Sequence, residues 1–407
     1  MNAQSQHANL PVPDSVLVTC FPSKLAILFR TALALLAVAW VSLETNAGEL
    51  LDWPVARGDA YGNALSACKL SEKPEVLWEF KTSDAKEGFE GTPVIADGRV
   101  YVGDFEGNIR AIDLKDGREL WKVKTKDGFV TAAAFHEGRV VIGDFSGQVY
   151  CMDAATGKQL WTREMDQQVA SGASFYRGDV LLTLENGSMH TLNLSDGEPK
   201  WSYATGDQLR SSATIWKDYC LLGGCDGRLH KIDLIKGEAI GDSIPLDAPT
   251  LSTPSVMGNI AIVPTQPGVV FAINVETNKV VWRFANEEMA DDIRSSPAMT
   301  GKIEGEGLAG LAVVNTRKRR VLGLNLADGS VAWEAIIKKR SDSSPVLCDG
   351  RAWVGAADGM VYGINLADGK ETWSYQLSGQ ILASPAIADN KLIIATEKGS
   401  IVCFGSK

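Results

Sequence analysis

Ala111-Ile112-Asp113, Gly117 and Trp121 spell A-x-D-x-x-x-G-x-x-x-W, and the pattern recurs along most of the chain. Asp153, Gly157 and Trp161 repeat its spacing, as do Asn193, Gly197 and Trp201. After an imperfect copy at Asp233 and Gly237, which has no tryptophan, it returns as Asn274, Asn278 and Trp282. Two further copies follow, at Asn325, Gly329 and Trp333 and at Asn365, Gly369 and Trp373. Most copies lie about 40 residues apart, a period that signals propeller blades or solenoid units.

Each unit reads as four short strands. In the first, Asp97-Gly98, Glu106-Gly107 and Asp116-Gly117 are turn signals separating apolar or alternating runs, the signature of an antiparallel meander. Four such strands make one blade. Further units begin near Ala132, Gly172, Ser212, Thr253, Ser296 and Ser344, and the last piece, Ser384 to Phe404, supplies only three strands. An orphan strand at Glu75 to Thr82, carrying Trp78, supplies the fourth. Pairing it with the last piece removes the two open sheet edges where a ring would gape. The expected fold is therefore all-β: an eight-bladed β-propeller of four-stranded antiparallel blades, closed by an N-terminal strand that completes the last blade. It spans residues 75–407, preceded by an irregular lead-in arm at 48–74 and a signal segment at 1–47. The arm either tucks against the body or serves as a linker.

The motif residues have structural reasons. The Asp or Asn bonds backbone in the following turn. Gly117, Gly157, Gly197, Gly237, Gly329 and Gly369 supply left-handed backbone, for which Asn278 is the best-tolerated substitute. Trp78, Trp121, Trp161, Trp201, Trp282, Trp333 and Trp373 fill the wedge between neighbouring blades and place an indole N–H where it finds a partner. Two units depart from the pattern. The fourth has Gly241 in place of its tryptophan, so its packing must differ, and the sixth is stretched by Gly301 to Gly310, read as an exposed loop.

Lys24 and Arg30 precede an apolar run from Thr31 to Leu43, and small residues follow up to Ala47. That is a secretory signal cleaved after Ala47, or, left uncleaved, an anchor. Six cysteines follow it; no spacing suggests zinc, and buried free thiols are expected for most of them. No metal and no cofactor are expected. A net charge of −10 argues against nucleic-acid binding and against adsorption to anionic lipid. The mature chain is read as a monomer that does not insert into the membrane.

The innermost strands begin with small residues, as eight strands converging on one axis require, and the connections feeding them ring one face. Arg210 and Arg294 occupy equivalent positions there, each followed by a serine pair, and Arg340 lies close by register. Loops held by a rigid scaffold are where a propeller's function sits. Arg317-Lys318-Arg319-Arg320 is either a solvated turn or a partner contact.

These repeats resemble the pyrroloquinoline-quinone-type propeller repeat, and the resemblance covers Glu75 to Lys407. Two branches bear on function. Quinoprotein alcohol dehydrogenases are longer and carry adjacent cysteines over the cofactor with acidic residues around calcium; this chain has no adjacent cysteines. The other branch, the outer-membrane assembly factor BamB, is a non-enzymatic exported scaffold beside the barrel insertase BamA. Leu209-Arg210-Ser211 is similar to its docking segment, which implies a protein partner there, with Arg294 and Arg340 on the same face. The acidic pair of that branch has no match in the uncharged Thr250 to Thr253, and Cys20 precedes the apolar run rather than following it as a lipid-bearing cysteine would. The resemblance thus implies a non-catalytic periplasmic scaffold, with a quinone-dependent dehydrogenase or a funnel binding a small ligand without turnover as alternatives.

Overall fold

The computed structural model describes residues 52–407 except 85, 286–291 and 305–306, so the expected signal segment and the start of the arm lie outside the described residues. Eight antiparallel sheets form the eight blades of a propeller. In the first, Val94–Ala96, Arg99–Gly103, Asn108–Asp113 and Glu119–Lys124 follow one another outward from the axis. Asp97 and Gly98 both have positive φ, 51° and 69°, as the tightest hairpin turns require. The last blade is completed from the front of the chain: Glu75–Lys81 pairs antiparallel with Ser400–Gly405, setting Trp78 opposite Cys403.

The cross-strand partner of each motif tryptophan is small. Ala111, Cys151, Thr191, Ala272, Gly323, Gly363 and Cys403 lie opposite Trp121, Trp161, Trp201, Trp282, Trp333, Trp373 and Trp78. The indole then crosses to the next blade. Trp78 donates to the Leu114 carbonyl at 3.0 Å, Trp121 to Ala154 at 3.0 Å, Trp161 to Leu194 at 2.8 Å, Trp282 to Leu326 at 2.8 Å and Trp333 to Leu366 at 2.7 Å. Each ring lies on the motif glycine of that next blade; a Cβ on Gly117 would stand 2.6 Å from the Trp78 indole. These glycines are needed for close approach as well as for backbone conformation.

The fourth blade departs as expected. Its outer strand is broken into Glu238–Ala239 and Ile244–Pro245. In place of the absent indole, Lys231 Nζ donates to the Val275 carbonyl at 2.9 Å and to Asn278 Oδ1 at 3.0 Å. Asn278 itself has φ of 58°. The sixth blade corrects the sequence reading. Residues 301–304 and 307–310 are not loop, because Ala298–Glu304 and Gly307–Asn315 extend the hairpin with Gly301 opposite Gly310. Facing glycines leave the two backbones free to pair closely, so the extra residues join the sheet.

The arm runs through the middle of the ring. Trp53 exchanges backbone hydrogen bonds with Ile95, both 2.8 Å. The carbonyls of Pro54, Ala60, Tyr61, Asn63 and Ala64 then accept the N–H groups of Phe135, Ile215, Val256, Met299 and Leu347 at 2.7–2.9 Å. Each of these donors is the second residue of an innermost strand, whose free edge faces the axis and needs a partner. The arm caps blades 1, 2 and 4 to 7 in circular order and leaves along blade 7 as Leu65–Ser66, parallel to Leu347 and Cys348. Arg351 clamps its exit by donating to the carbonyls of Leu70, Ser71 and Glu72. The six described cysteines are unpaired, and all but Cys225 are buried.

Candidate functional site: the rim of the funnel

One face is ringed by the loops that feed the innermost strands. Two residues before each strand's first small residue stand Glu90, Val130, Ala170, Arg210, Leu251, Arg294, Asp342 and Leu382. Extended backbone alternates its side chains, which decides what the segment from Leu209 to Ser211 presents. Leu209 points inward and is fully buried in the core between blades 3 and 4, bridged to Gly224. Ser211 is fully buried too, its hydroxyl donating to the Gly223 carbonyl at 2.9 Å. Arg210 alone faces solvent, with its guanidinium 3.3 Å from Glu185. Leu209 and Ser211, both expected at a contact, are placed in the interior and hold the loop, and Arg210 is the group the segment presents.

Arg294 and Arg340 are likewise half-exposed, each steered by a carboxylate in its own loop. Arg294 Nε lies 2.9 Å from Asp292 and Arg340 Nε 3.2 Å from Asp342. Arg317, the first residue of the basic turn, joins them, with Nη1 3.3 Å from Asp292 and Nε 3.0 Å from Asp342. Two carboxylates therefore tie three arginines of blades 6 and 7 into one rim network. Arg320, from the same turn, pairs instead with Glu334 on the neighbouring strand. Sequence reading treated the basic turn as one unit; the turn and the next blade's feeding loop lie on the same face in every unit, and that register is the signal that places Arg317. Across the funnel, burial and then the nearby Asp342 charge raise the Glu90 carboxyl above its usual range.

Below the rim runs a belt of hydroxyls. The N–H groups of Ser212, Thr253, Ser296, Ser344 and Ser384 donate in turn to the hydroxyls of Thr253, Ser296, Ser344, Ser384 and Thr92, at 2.9–3.2 Å. These residues are more than space-savers, since they stitch blade to blade. Ala132 and Gly172 interrupt the belt at blades 2 and 3. Among the described residues no three His, Cys, Asp or Glu groups converge as metal ligands, and Cys220 and Cys225 lie on a strand and in the turn after it.

A family model described as outer membrane protein assembly factor BamB matches residues 63–127, 105–244, 243–346 and 317–406. The chain belongs to the BamB family. BamB of Yersinia pestis is 28% identical over 109 residues, 26% of this chain and 27% of that one. BamB of Salmonella typhimurium is 30% identical over 98 residues, 24% of either chain. The matched stretch thus spans about a quarter of the length of these relatives. Among solved structures, BamB from Moraxella catarrhalis superposes with a TM-score of 0.68 at 18% identity, covering 82% of this chain and 98% of that one. The quinohemoprotein alcohol dehydrogenase of Comamonas testosteroni gives 0.71 at 13% identity, covering 89% and 82%. At such identities both likenesses bear on the fold alone.

Proposed function

We propose that this chain is a non-catalytic periplasmic scaffold of outer-membrane protein assembly, which docks a protein partner of the BamA type through the funnel rim. The observation that carries the reading is the set of half-exposed arginines, Arg210, Arg294 and Arg340, held out on one rim by Glu185, Asp292 and Asp342. A guanidinium already oriented by one carboxylate keeps further N–H donors for a second, and its fork suits carboxylates of a partner surface. Family membership favours a partner from outer-membrane protein assembly, and the signal segment expected at 1–47 favours the periplasm.

The test is a photo-crosslinking residue at position 210 of the mature protein, exposed to envelope extract, with a matched probe at the exposed Arg319. Capture of a barrel-assembly component at 210, abolished by Arg294→Glu with Arg340→Glu, is the expected result. Equal capture at both positions, or capture that survives the double reversal, removes the rim from the docking role.

A further inference from the structure

Where the arm crosses the axis, Arg57 is buried, only 5% exposed. Its Nη2 donates to the carbonyls of Pro297 and Pro345, at 2.8 and 3.1 Å, each just before the innermost strand of blade 6 or 7. Nε and Nη1 are buried with no protein acceptor. A guanidinium has donors only and stays charged in proteins. Burial lowers the Arg57 pKa to about 9, against a small opposing effect of Asp59, so the group is a cation at neutral pH. No carboxylate among the described residues lies within ion-pair distance of it.

Beside Arg57, towards blades 3 to 5, the arm leaves a cavity of about 10 Å³ whose lining includes Asp59, Ser212, Thr214 and Thr253. That is room for one water-sized sphere. The hydroxyls of Ser212 and Thr214 already donate, to Gly172 and Pro254. The Thr253 oxygen accepts the Ser212 N–H, and its proton has no acceptor among the described residues. Asp59 is the one acidic group there, and its Oδ1 accepts the N–H groups of Tyr61 and Asn63 at 3.0 and 3.3 Å. The cavity therefore combines uncommitted donors with a buried positive charge that Asp59, outside ion-pair distance, offsets only in part.

We propose that this axial cavity binds a single small monovalent anion of chloride size, held by the Arg57 guanidinium and the Thr253 hydroxyl. A water would occupy the N–H groups but leave the charge unbalanced, and an unpaired buried charge is far costlier than an unpaired buried dipole. The anion joins the arm to blade 5, so its loss loosens the plug and not the blades.

The test uses the whole mature protein. Crystals soaked in bromide and measured at the bromine edge are expected to show an anomalous peak on the axis within hydrogen-bonding reach of Arg57. No peak there, or a water in its place, overturns the proposal. In solution, the melting temperature should rise by a few degrees on exchanging gluconate for chloride at matched ionic strength, and Arg57→Gln should abolish the rise. Should that variant fail to fold, Thr253→Val provides the comparison, with a reduced rise expected. A wild-type melting temperature that is the same in both salts counts against the anion.

Discussion

The Trp78 indole does two things at once, lying on Gly117 and donating to the Leu114 carbonyl. Trp78→Phe keeps an aromatic face but strands a carbonyl, which costs about 1–3 kcal/mol; urea denaturation of the pair of proteins measures it. Gly117→Ala faces both a φ of 76° and a Cβ inside the indole's radius, so it should destabilise by more than the ~1–2 kcal/mol of left-handed backbone alone. At the one junction with no tryptophan, Lys231 should be as sensitive. Lys231→Met keeps the stem and removes the ammonium from the Val275 carbonyl and Asn278. A loss of about 1–3 kcal/mol is expected, whereas a change within error would mean that water replaces the ammonium without cost. Thiols make a further residue-scale readout. Burial pushes Cys151, Cys348 and Cys403 up to about 12 and Cys220 further still. A thiolate-directed reagent at pH 8 should thus modify Cys225 first and the buried thiols only on unfolding.

Among the elements, the arm is the piece that composition and periodicity hid. Blades announce themselves because Trp, Gly and Asp fall at fixed spacing. The arm's work is done by backbone carbonyls, which every residue has. Pro54, Gly58 and Gly62 fit a tucked arm and a linker equally well in sequence, yet Gly58 is required by contact with Trp53 and Gly62 by contact with the Pro254 carbonyl. The same blindness explains the rim. Sequence register found Arg210 and Arg294 at equivalent positions, but could not tell that Leu209 fills the core, because an apolar residue beside a polar one is equally a contact or an anchor. The arm's role is measurable by hydrogen exchange. Deleting residues 52–64 should strip protection from the amides of Ile95, Phe135, Ile215, Val256, Met299 and Leu347 while strand-paired amides such as Val102 keep theirs. Loss at all amides alike would make the arm a condition of folding and not a cap.

For the molecule as a whole, the repeat left little doubt about the ring, and the closure was legible from the orphan strand at Trp78. The partner was not, since a rim of paired arginines encodes chemistry without identity. The closure also sets an order of events. Lys69 bonds to Asn390 across 321 residues of chain, and Trp78 reaches its strand partner only when Cys403 is in place. The segment translated early is therefore among the last to find its place, and the strand that carries Trp78 stays unpaired until the final strand emerges. Contacts so distant in sequence make for slow folding and a long window of vulnerability to aggregation. A protein built this way has reason to depend on a holdase while in transit, and to become resistant to proteolysis abruptly, on completion of its C-terminal strands, instead of blade by blade.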